Sequence, residues 1–249
     1  MSYLGTSLPF DQVALACLLV RLVDEVQSIT VEAVSGADAD AAAANAKALL
    51  DAMWLFGAPE LWWDLLNATR DAHAIVERWP VLRAERTAIG ASSRLWAFVQ
   101  RLRTSEVFGA AVPAAMCAQL AREYLAGFGE PSVVGRLELQ NFLGTSRTFG
   151  EVAIACHVDR FAALLDQFDQ AHGDARATST AVTSMVVLHS TLRLFVVPHR
   201  GERFADLDLR MGSALSALST RTEAERREGV DEMWLVLEEL SDFASRSSL

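Results

Sequence analysis

Residues 148–173 read TFGEVAIACHVDRFAALLDQFDQAHG, and no other stretch constrains the fold so tightly. Thr148 followed by Glu151 forms a capping box, in which each side chain takes an orphan amide of a first helical turn. Gly173 suits the left-handed position just past a helix end. Between these signals Ile154, Val158, Phe161, Leu164, Leu165 and Phe168 fall on one arc at about 100° per residue, with Asp159, Ala163, Asp166, Gln167 and Gln170 opposite. A helix with one apolar side must bury that side against neighbours. The rest of the chain therefore has to supply packing partners of matching length.

It supplies them as further helices. Residues 10–34 are apolar around most of the circumference, with a polar strip of Arg21, Asp24, Glu25, Ser28 and Glu32, which marks a central helix. Asp38 or Asp40 caps an alanine-rich helix reaching Phe56. The corner Phe56-Gly57-Ala58-Pro59 then places Gly past one helix and Pro at the start of the next. Residues 59–78 form an amphipathic helix that Trp79-Pro80 ends, because a residue before proline avoids the helical region. Shorter helices are expected over 81–88, 91–103, 113–126 and 131–143. Residues 173–178 are the best internal boundary. The β-branched stretch 179–197 still places Ala181, Met185, Leu188, Leu192, Phe195 and Val196 on one side, which predicts a helix rather than strands. Helices over 203–219 and 223–244 follow, the last opened by a second capping box, Thr222 with Glu225. The expectation is an all-α multi-helix bundle of about nine or ten helices with no significant sheet, in one domain spanning residues 1–249 or in two subdomains dividing near 173–178.

Composition narrows the function. With 249 residues, 51% of them hydrophobic, the chain has enough apolar surface to bury a sizeable core. The formal charge of −10 disfavours generic nucleic-acid binding. The longest charge-free runs, 107–121 and 177–192, fall short of the ~18–20 apolar residues of a spanning helix, so no membrane association is expected. The segment MSYLGTSLPFDQ has neither a basic n-region nor a cleavage site, so no signal peptide is read. Cys17, Cys117 and Cys156 are scattered and lack metal or CxxC spacing, which suits reduced thiols and a cytoplasmic setting. No cofactor and no metal site is expected.

Catalytic motifs are missing: the chain has no phosphate-binding glycine loop, HExxH, EF-hand loop, GxSxG or paired ExxH. Cys156 beside His157 is not a nucleophile–base pair, since adjacent helical residues diverge by about 100°. Two readings remain. The first is a helical protein-binding module, an adaptor, regulatory subunit or scaffold that also self-associates, its partner a protein or a second copy. Outward residues Trp63, Arg70 and Leu235 are its candidate anchors, since Trp and Arg dominate binding hot spots. The second is a small-molecule site, enzymatic or sensory, in which His157, His189 and Arg193 line one polar pocket in an apolar core. Against it stands the plainer reading that each imidazole satisfies itself within the core. Charge is also uneven. Arg78, Arg83, Arg86, Arg94, Arg101 and Arg103 stand against Glu85 alone, while the last helix carries eight acids against Arg226 and Arg227. These can form solvated faces, pair within the fold or meet a partner.

Overall fold

Nine α-helices and no strand or sheet occupy the described residues of the computed structural model, so the chain is all-α as expected. The structure describes residues 3–6, 8–32, 37–57, 62–102, 142–171, 174–196, 201–220 and 222–245. The helices are α1 (Phe10–Glu32), α2 (Ala37–Phe56), α3 (Trp62–Glu77), α4 (Trp79–Ala84), α5 (Ala88–Leu102), α6 (Phe149–Gln170), α7 (Ala175–Leu192), α8 (Gly201–Leu218) and α9 (Glu223–Ser245). The helix expected over 113–126 lies outside the described residues. So does the one expected over 131–143, apart from Phe142 and Leu143 in a 3-10 turn. Among the described residues no helix is long and apolar enough to cross a membrane.

The chain divides into two compact units, Met1–Ser146 and Arg147–Leu249. In the first, α1 lies against α2 through the small side chains Ala39, Ala42, Ala43 and Ala46, all buried, which let the two backbones approach. Residues 13–20 of α1 are buried without a break, as the all-round apolar pattern requires. One polar connection crosses this pair: Glu25 accepts from Arg21 at 2.7 Å and from Asn45 of α2 at 3.2 Å. Burial outweighs these partners and raises the Glu25 pKa above its ordinary value. After α3 the chain breaks where expected. Arg78 leaves the helix, and Pro80 sits in the first turn of the short α4, where its missing amide hydrogen costs nothing.

The second unit is a ring of four helices. α6 packs on α7 and α9, and α8 packs on the same two. The division between units falls before α6, and residues 173–178 lie within this second unit. There Asp174 is the N-cap of α7, accepting from the amides of Arg176 (2.9 Å) and Ala177 (3.1 Å). The β-branched α7 is a helix with its apolar side buried at Ala181, Met185, Leu188 and Leu192, and its hydroxyls turn back onto the helix. Thr178, Thr180 and Thr183 each donate to the carbonyl four residues back, at 2.8–2.9 Å. At the start of α6 the Glu151 carboxylate accepts the Thr148 amide at 2.8 Å, the glutamate half of the expected box. At the start of α9 the Thr222 hydroxyl donates to the Glu225 carboxylate itself.

α8 and α9 pack tightly at Gly229. A Cβ there would stand 2.9 Å from the Ala217 Cβ and 3.0 Å from the Ala214 carbonyl oxygen. Alanine is the better helix former by about 1 kcal/mol, yet overpacking against backbone costs about 1–3 kcal/mol. Gly229→Ala is therefore expected to lower the unfolding free energy by roughly 1 kcal/mol net in urea titrations. A variant as stable as the parent would mean that these helices separate without cost.

Candidate functional site

α6 carries His157 into the core, where it is 1% exposed. Its Nδ1 stands 2.8 Å from the Ala153 carbonyl oxygen, which can only accept, so Nδ1 holds the proton of the neutral ring. Its Nε2 is 3.0 Å from the Thr191 hydroxyl of α7, which then donates to it. Thr191 is itself fully buried, and its oxygen also lies 3.0 Å from the Leu188 carbonyl. Phe195 packs on the imidazole at 5.1 Å between ring centres and on Phe149 at 5.8 Å. Burial pulls the His157 pKa from 6.5 down to about 4, with only the Ala153 carbonyl opposing. A neutral ring with both nitrogens engaged is a structural pin between α6 and α7.

His189 points elsewhere. Two residues from Thr191, it projects about 200° around α7 and meets α8, where its Nε2 lies 2.8 Å from the Asp208 carboxylate. Gly212, one turn beyond Asp208, lies beside the ring: a Cβ there would stand 3.7 Å from His189 Cε1, an ordinary van der Waals contact. Arg193 follows in a 3-10 turn and is exposed. The structure thus does not bring His157, His189 and Arg193 into one pocket. The apolar arc of a helix is wide enough to serve two neighbours, and residues on its two edges part company. Cys156 is 1% exposed, because the first half of α6 is buried nearly all round. Cys17 is also buried. Among the described residues no group of three or more His, Cys, Asp or Glu is placed to hold a metal ion.

The candidate anchors lie in different units. On α3, Arg70 is exposed with its Nε 3.7 Å from the neighbouring Asp71, while the Trp63 side chain lies outside the described residues. Leu235, on α9, is 52% exposed and stands beside Trp234, 38% exposed, which periodicity had not singled out. The signal was there: Trp234 lies off the arc of Met233, Val236, Leu237 and Leu240 that faces the core. Trp234 and Leu235 border a surface groove of about 640 Å³ with Val158 and Ala162 of α6 and with Asp231, Glu238 and Ser241 of α9.

The acids of α9 divide between two jobs. Glu232 and Glu239 turn inward to Arg210 of α8, at 2.7 and 2.8 Å, and these two hydrogen bonds raise the guanidinium pKa further. Asp231, Glu238 and Asp242 face outward with Trp234 and Leu235, at i, i+3, i+4, i+7 and i+11, with Arg227 at the N-terminal end of the same face. A groove on the first unit has arginines on its rim. α3, α4 and α5 enclose a groove of about 330 Å³ floored by Ala72, Ile75, Leu82 and Phe98, with Arg78 and Arg94 on its rim beside Asp71. Arg83, nearby on α4, is paired with Asp40 of α2.

A depressed histidine pKa has a fixed sign in stability. Below pH 6.5 the unfolded chain takes up a proton that the folded chain refuses until about pH 4. Stability is therefore complete above pH 6.5 and is lost as pH falls through that window, by about 3 kcal/mol in total. In urea titrations from pH 7 to pH 4 the parent protein should lose about 3 kcal/mol more than His157→Gln, which cannot titrate. Parallel curves for the two proteins would show that the fold does not hold His157 neutral.

No protein family, no curated protein and no solved structure matches this chain.

Proposed function

We propose that this protein is a helical protein-binding module, an adaptor, regulatory subunit or scaffold, and that the outward face of α9 is where it takes a partner. The reading is carried by one observation, the Trp234–Leu235 ridge left open on the surface and bracketed by Asp231 and Glu238. A tryptophan spared from the core and set in a polar rim has the composition of a binding hot spot. Its neighbours repeat at helical-anchor spacing, the pattern by which one helix is gripped along a groove. The pairing of Glu232 and Glu239 with Arg210 supports the same reading, because it turns these two acids to α8 and leaves Asp231 and Glu238 to frame Trp234 and Leu235. The alternative, a small-molecule site built on His157, His189 and Arg193, has less support, since His157 meets Ala153 and Thr191, His189 meets Asp208, and Arg193 is exposed.

A photo-crosslinking side chain in place of Ser241, at the edge of the ridge, tests the proposal in cells. The expected result is a discrete crosslinked polypeptide that disappears when Trp234→Ala is added, with the melting temperature nearly unchanged. A crosslinking pattern indifferent to Trp234, or no adduct at all, would remove this face from consideration.

A further inference from the structure

The two units carry surfaces that match each other in shape class and in sign. On α9 the apolar pair Trp234 and Leu235 projects from the helix, with Asp231 one turn before and Glu238 one turn after. On the first unit the groove between α3 and α5 is concave, with Ile75, Leu82 and Phe98 at its base and the exposed Arg78 and Arg94 on its rim. One is an acidic apolar ridge, the other a basic apolar slot. We infer that the partner of the α9 ridge is the α3–α5 groove of a second copy of this chain. This rests on the protein-binding reading above and names the partner.

The argument is charge complementarity combined with form. A helix face docks by laying anchors at i, i+3, i+4 and i+7 into an apolar slot, and Asp231, Trp234, Leu235 and Glu238 occupy those places. Asp231 and Glu238 then meet guanidinium groups, which accept carboxylates in paired fork geometry. Asp71 on the groove and Arg227 on the ridge are minority charges on their respective faces, so each face keeps its net sign. A ridge-and-groove contact is heterologous, so the ridge of one copy takes the groove of the next.

The test is complementation with the full chain. In size-exclusion chromatography with light scattering, the parent protein should run at twice the 27.1 kDa of one chain or at a larger multiple of it. Trp234→Ala destroys the ridge and Arg94→Glu reverses the groove. Each should run alone as a monomer, its dissociation constant raised at least ~30-fold. Mixed in equal amounts they should assemble again, because the ridge of one variant still fits the groove of the other. Both positions are exposed, so both variants should keep the parent's circular dichroism. If either melts early, Glu238→Arg serves for the ridge, and its combination with Arg94→Glu in one chain should restore assembly. Assembly that survives both single changes, or a mixture that stays monomeric, overturns the inference. A parent protein monomeric at every concentration also overturns it. A Trp234-dependent crosslink to a different polypeptide would then leave the protein-binding reading standing.

Discussion

The second unit depends on one requirement, that α6 be buried along most of its length. A helix of this length with Phe149, Val152, Ile154, Phe161, Leu165 and Phe168 turned inward needs more than one neighbour to shed water from that surface. The four-helix ring answers this, with α7 on one flank and α9 on the other. A buried helix then sets the terms for its polar residues. His157 is admitted to the core only as a neutral ring with Ala153 and Thr191 engaged, since a charged imidazole there would lose its hydration without compensation.

The same logic sorts the charges. Arg210 is the one described side chain that gathers two carboxylates from α9, and it does so at the α8–α9 seam near the surface. Asp231 and Glu238, which it does not take, lie on the outward face beside Trp234 and Leu235. The acids of α9 thus do not act as one group: Glu232 and Glu239 close the α8–α9 seam, while Asp231 and Glu238 border the surface groove. Such exposed pairs add little stability; at a docking surface their effect is on orientation, and on which partners are repelled.

The class of fold was legible from the chain alone, and the reasons are local. The Thr148–Glu151 pair, the Trp79-Pro80 break and the period of α6 each act within a few residues, and each appears where it was read. Even α7, rich in threonine and valine, declared itself by period, and its hydroxyls turn back onto the helix's own carbonyls. The link at 173–178 has an equally local explanation. Asp174 begins a helix, and a cap next to a glycine has the composition of a linker.

What period determines is the direction of a side chain about its own helix axis, and so which residues are inward. It does not determine which neighbour stands in that direction. His157 and His189 were both read correctly as inward-leaning, yet one meets Thr191 and the other Asp208, because the pairing of helices is set by the sum of long-range contacts over the whole bundle. The burial of Cys156 and the exposure of Trp234 belong to the same category. Sequence by itself determined an all-α chain with amphipathic helices and a reachable core. Only the tertiary structure decided which polar groups are consumed inside that core and which ridge and groove remain outside it.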